Sequence, residues 1–216
     1  MSKHYKILIG KIFFILFFSF TANISFADTT AADELAKSLN SIHTMQANFE
    51  QSMVNSKGGN IGQKTLGSMK LERPGKFRWE ITQPNNQLII INKDKSFLYD
   101  IDLEQVVKRK MDYRKPGNPA MLLSSPVETL KQSFKITKLN NSKTGSWFKL
   151  TPKTQGNGYQ WIKMHFITGQ LRSMQITDDL EQQSTITFNN IVLNKSISPK
   201  MFVLTTPPNT EIFDAE

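Results

Sequence analysis

The 216-residue chain contains no cysteine. That excludes disulfides, thiol nucleophiles and thiolate-ligated zinc together. It also excludes a lipidated cysteine, so the chain is not itself a lipid-anchored protein of that kind. Histidine is scarce, with three residues. His43 and His165 have no His, Cys or carboxylate nearby at metal-ligand spacing, and a structural role is expected for both. There is no Gly-X-Ser-X-Gly, no phosphate-binding loop and no dinucleotide fingerprint. The paired carboxylates Asp178-Asp179 fall where a hairpin loop is expected. Neither an enzyme nor a cofactor follows from these residues.

Long apolar runs are also missing beyond the first 27 residues. Within them, Lys3, Lys6 and Lys11 precede the apolar stretch Ile12 to Phe20, and Ser25-Phe26-Ala27 places small residues before Asp28. This is the pattern of a secretory signal peptide cleaved after Ala27. The apolar stretch is shorter than the ~20 residues of a membrane span. A single domain over residues 28–216 is expected, long enough to bury a core without staples. Losing the three lysines of the leader takes the net charge from +9 to +6. An exported chain meets little nucleic acid, so none is expected as a partner. The densest basic patch, Lys108-Arg109-Lys110 with Arg114-Lys115, has two readings. It is a solvated strand edge, or a surface attracted to anionic lipid or to an acidic partner.

The pattern predicts an amphipathic helix over Ala31 to Met53, with Leu35, Leu39, Ile42, Met45 and Phe49 at helical spacing. Short strands follow from Gln63 onward, separated by turn residues. A helical insertion hinged by Pro116, Gly117, Pro119 and Pro126 interrupts them between Lys115 and Phe134. Strands then resume, ending with one over Met201 to Thr205. The expected fold is α+β: a long curved antiparallel sheet whose apolar face the helices cover.

The most telling stretch runs from Leu71 to Pro84. Phe77, Trp79 and Ile81 share one face at period two, and Lys76, Arg78, Glu80 and Thr82 share the other. Methionines recur on strand faces and in the insertion: Met69, Met121, Met164, Met174 and Met201. Methionine fills irregular cores, and it is over-used at surfaces that bind variable shapes.

Leu71-Glu72-Arg73-Pro74 through Gln83-Pro84 resembles the block of the LolA family in which Arg-Pro precedes Phe-x-Trp and ends in Thr-Gln-Pro. Phe97 to Val106 is similar to the family's next block, Gly117 to Leu123 to its lid helix, and Met201 to Asn209 to its C-terminal Phe-Thr-Pro-Pro strand. The resemblance implies an unclosed antiparallel β-barrel covered by a helical lid. It implies a periplasmic monomer that shields the acyl chains of triacylated outer-membrane lipoproteins. An inner-membrane lipoprotein-releasing ABC transporter would load it, and the outer-membrane receptor LolB would unload it. A lipid- or lipoprotein-sensing module of the same fold is the second reading. By resemblance Arg73 latches the lid through backbone carbonyls around Met121 to Ser124. Trp79, Ile89, Met121, Leu122, Leu123, Met164 and Met174 are the expected lipid-binding residues. Phe77 is the expected rim residue for the transporter, with Phe77→Glu expected to leave the fold intact.

Overall fold

Alternating apolar residues make most of this chain strand, and the strands join into one sheet. The computed structural model describes residues 30–111, 119–142, 145–154, 156 and 158–215. The proposed leader and Arg114 and Lys115 of the basic patch lie outside them. Helix α1 spans Ala31–Asn40. Six strands follow: β1 (Thr44–Val54), β2 (Thr65–Glu72), β3 (Lys76–Gln83), β4 (Gln87–Asn92), β5 (Lys95–Asp100) and β6 (Gln105–Lys110). The insertion holds a 3-10 helix, Pro119–Ser124, and helix α2, Val127–Ser133. Then come β7 (Phe134–Ser142), β8 (Gly145–Pro152), β9 (Tyr159–Ile167), β10 (Gln170–Asp178), β11 (Gln183–Leu193), a 3-10 turn at Pro199–Phe202 and β12 (Glu211–Ala215). No described helix is long and apolar enough to cross a membrane.

The sheet order is β12-β6-β5-β4-β3-β2-β1-β11-β10-β9-β8-β7. Neighbours are antiparallel except the β12–β6 pair, which is parallel. The sheet therefore has two ends, β12 and β7, and forms an unclosed barrel. Its inner face gathers Met45, Phe49, Met69, Leu71, Phe77, Trp79, Ile89 and Ile91 from one half, and Phe148, Met164, Met174 and Ile186 from the other, into a single buried cluster. Leu35 and Leu39 of α1 and Leu122, Leu123, Val127 and Leu130 of the insertion close it. A second, smaller cluster of Leu88, Ile90, Tyr99 and Val106 lies on the outer face, packed against Phe97, Ile101 and Leu204.

Three expectations need correction. The first helix stops at Asn40, and Thr44–Val54 is a strand. Leu35, Leu39, Ile42, Met45 and Phe49 fit a helical period, but Met45, Ala47 and Phe49 also fit a period of two. β2 and β11 pair with both sides of this segment and decide the matter. The intervening turn is clamped from far away: the Asn194 side chain accepts from the His43 N–H (2.9 Å) and donates to the Ser41 carbonyl (2.9 Å). Second, Met201 to Thr205 is not a strand. Phe202 turns back onto the outer face of the sheet, where it lies buried against Lys76, whose ammonium sits 5.9 Å from the ring. The last strand is instead β12. Third, β6 is not a sheet edge, because β12 covers it and Asp214 pairs with Lys108 (2.7 Å). The hairpin reading of Asp178 agrees with the structure: its carboxylate accepts the N–H groups of Leu180 and Gln182.

One close approach holds the strand half of the interior together. The Phe49 and Trp79 rings stack with centroids 3.6 Å apart. Phe49 fits because it lies over Gly67 of β2, where an added Cβ would sit 2.5 Å from the ring and 2.1 Å from the Glu80 carbonyl oxygen. Forcing a methyl into such a site costs about 1–3 kcal/mol. Gly67→Ala should lower the urea midpoint by an amount equivalent to at least ~1 kcal/mol. An unchanged midpoint would mean that the stack is not needed for stability.

Candidate functional site

The β2–β3 turn and the lid meet through three consecutive carbonyl oxygens. A short 3-10 helix leaves carbonyls without intrahelical partners at its end. Here Leu123 O accepts from Arg73 Nη1 (2.7 Å), Ser124 O from the Gly75 N–H (3.2 Å) and Ser125 O from Arg73 Nη2 (2.6 Å). The turn itself is fixed on both sides. The Arg73 N–H donates to His43 O (2.9 Å), and Gly75 O accepts from the Lys93 N–H (2.7 Å). Gly75 sits at φ +78°, which favours glycine at this point of the turn. An ion pair between Lys76 and Glu72 (2.6 Å) closes the base of the turn.

Arg73 is half-buried, and burial pulls its guanidinium down from 12.5 to about 10. It stays charged at neutral pH, so both carbonyls receive charge-assisted bonds. One ion pair fastens the other side of the lid to α1, and a second ties α1 to the sheet. Lys131 of α2 meets Asp33 (3.0 Å), and Lys138 of β7 meets Glu34. The Asp33 carboxyl is held below its usual range by Thr30 and by Lys131. The Asp33–Lys131 contact is therefore complete above the ordinary carboxylate range and is lost only as pH falls through the lowered value beneath it.

Beneath the lid the wall is mostly apolar, with Ser124 and Ser125 of the lid the buried polar residues beside it. Trp79, Ile89, Leu122, Leu123, Met164 and Met174 are all buried in the one inner cluster, although they come from β3, β4, the 3-10 helix, β9 and β10. Met164 and Met174 are direct cross-strand partners, flanked by Phe148 and Ile186. The Met121 side chain lies outside the described part. Sequence reasoning missed Phe49, which stacks on Trp79, because the segment was read as helix. Its alternation with Met45 and Ala47 was the available signal. It also missed the Gly75 N–H, which no side-chain motif reveals.

Phe77 is not on a rim. Its side chain is 0% exposed, its ring centroid lies 6.0 Å from that of Trp79, and Leu71 and Ile91 flank it on neighbouring strands. The reason is register: Phe77 shares the inner face with Trp79, two residues on. A groove of about 540 Å³ lies on the opposite, outer face, lined by Asn92, Phe97, Phe202, Leu204 and Ile212 among others, and is separate from this wall. His165 stacks on Trp147 (4.1 Å). Among the described residues no three His, Asp or Glu side chains come together to hold a metal.

An unpaired carboxylate at Phe77 would be buried among aromatic rings, which carries a large penalty. Phe77→Glu should therefore destabilise the fold by about 3 kcal/mol or more, whereas Phe77→Leu should cost about half as much. Equal denaturation midpoints for Phe77→Glu and the parent would return Phe77 to the surface.

A family model described as outer membrane lipoprotein carrier protein LolA matches residues 40–205. An outer-membrane lipoprotein carrier protein of Pseudomonas aeruginosa is 34% identical over 200 residues, covering 92% of this chain and 95% of that protein. One from Methylococcus capsulatus is 33% identical over 188 residues, covering 87% and 89%. An uncharacterized conserved protein of Thermus thermophilus has a similar solved structure. It has a TM-score of 0.55 and 11% identity, over 86% of this chain and 100% of that one. Family model, identity and coverage agree: this chain belongs to the LolA family.

Proposed function

We propose that this protein is a periplasmic carrier of outer-membrane lipoproteins. After export and loss of residues 1–27, it takes triacylated cargo from an inner-membrane lipoprotein-releasing ABC transporter. It shields the acyl chains inside the barrel and passes them to the outer-membrane receptor LolB. It acts as a chaperone, with binding rather than bond chemistry as its work. The observation that carries this reading is an apolar inner cluster whose lid carbonyls are bonded by the Arg73 guanidinium.

Magnitudes explain why that combination suits a carrier. Burying Leu122, Leu123, Val127 and Leu130 under the lid contributes up to ~6–12 kcal/mol against full exposure. Acyl chains, at ~0.8 kcal/mol per buried CH₂, offer the same kind of contact. Apolar burial therefore stabilises the closed and the loaded forms alike, and it cannot decide between them. The two Arg73 bonds differ, because the hydrocarbon tails of acyl chains have no acceptor to replace the lid carbonyls. At ~1.5–3 kcal/mol each before screening, they favour the closed, empty state. Cargo must break them on loading, and their return helps to expel cargo at the receptor.

Phe77 meets the transporter in this scheme only after the lid has moved, since it is enclosed when the latch is made. Purified mature protein added to spheroplasts carrying a labelled outer-membrane lipoprotein should release it as a soluble complex. A cargo version without its acylated cysteine should not depend on the carrier. Failure to release acylated cargo, with the protein folded, would contradict the carrier role. Arg73→Leu should still release cargo but hand it to the receptor at least about tenfold more slowly, the kinetic equivalent of losing one such bond. Transfer at the parent rate would remove Arg73 from the mechanism.

A further inference from the structure

Residues directly opposite one another in a sheet share a face. Followed outward from the lid-covered interior, the pairing register traces one continuous inner rung. Trp79 of β3 faces Ile89 of β4, Ile89 faces Leu98 of β5, Leu98 faces Val107 of β6, and Val107 faces Phe213 of β12. All five are apolar. Trp79 and Ile89 are buried and Val107 is half-buried, but Leu98 is 42% and Phe213 49% exposed. The rung thus leaves the enclosed interior and runs, partly open, to the edge of the sheet.

The neighbouring rungs differ in kind. On one side lie Gln87, Asp100, Gln105 and Glu211, and on the other Ile91, Ser96, Arg109 and Ala215. From β5 outward the apolar track is therefore one residue wide between mostly polar banks. Leu98 and Val107 serve neither packed cluster: their chain neighbours Tyr99 and Val106 point outward into the second one. Nothing in the core explains why Leu98 and Phe213 are large and apolar.

We propose that this rung is an additional acyl-chain groove, in which one chain of the cargo lies from the interior to the open edge at β12. The proposal rests on the carrier reading and adds a place for one chain outside the lid. A track one residue wide accommodates a single hydrocarbon chain, whereas a docked helix or sheet face needs a broader apolar strip. Its length also fits. Five strands at ~4.8 Å spacing span ~19 Å, and an acyl chain covers ~15 Å, half of a ~30 Å bilayer core. Continuity with the interior through Ile89 lets a chain enter it without crossing a polar bank. β12 has a function in this arrangement: its parallel pairing, supported by the Lys108–Asp214 and Gln105–Glu211 contacts, delivers Phe213 to the end of the track.

The absence of native cysteine makes the test direct. Phe213→Cys carries a single thiol on the track. Leu103→Cys carries one in the β5–β6 turn, at a position 66% exposed. Maleimide labelling is timed for the empty protein and for the isolated complex with a triacylated lipoprotein. Labelling at position 213 should slow at least about tenfold in the complex, while position 103 stays unchanged. Unslowed labelling in an intact complex overturns the groove and leaves the carrier reading standing. Equal slowing by a non-acylated cargo protein makes the rung a protein contact and also overturns the groove. If no complex forms, the carrier reading fails and the groove fails with it. In a second arm, Leu98→Gln combined with Phe213→Gln should bind cargo yet lose it to acceptor liposomes about tenfold faster. An unchanged rate counts against the groove.

Discussion

A half-buried guanidinium needs acceptors, and a broken-off 3-10 helix has carbonyls to spare. In this fold each satisfies the other. Arg73 sends its two terminal nitrogens to Leu123 O and Ser125 O, and the Gly75 N–H takes the Ser124 carbonyl between them. The turn from β2 to β3 is thus the fixed point against which the lid closes. The lid's far side is held by the partly exposed Lys131–Asp33 ion pair, of the kind that contributes little on its own. The cover is therefore firm at one place and yielding elsewhere, as an opening element must be.

The sheet provides what the latch guards. Because it never closes into a barrel, its inner face can be packed at the centre and remain accessible toward an end. At the centre, Gly67 makes room for Phe49 to stack on Trp79, and Phe77 lies beside them. This aromatic set forms a rigid floor. Across the barrel, Met164, Met174, Phe148 and Ile186 make a softer wall. Thioether side chains adapt to shapes that change between empty and loaded states. Toward β12, the apolar rung thins to a single line between mostly polar neighbours.

Much of this was legible in the sequence where one residue determines its own surroundings. The strand Lys76–Gln83 follows from its alternation alone, and the break at Pro126 from its proline. The lid latch was legible only through resemblance, since an isolated Arg-Pro has no direction. What escaped was set by distant chain. The end of α1 depends on Asn194, more than 150 residues away, so Thr44–Val54 passed for helix. Phe77 was expected at a rim through resemblance alone, and alternation, which put it on the face of Trp79, did not say how deep that face lies. β12 is a five-residue strand with no repeat of its own, and its place exists only because β6 would otherwise be an open edge.

In the carrier reading the lid has two discrete states, and Arg73 sets the balance between them. The most direct test is the distance between the lid and the sheet. Spin labels on Glu128→Cys of α2 and Lys95→Cys of β5, both exposed positions in a cysteine-free chain, report it by pulsed electron resonance. One narrow distance is expected in the empty protein. A second, longer population is expected when triacylated lipoprotein is bound, and the same population in empty Arg73→Leu. A single unchanged distance in all three samples would contradict the latch.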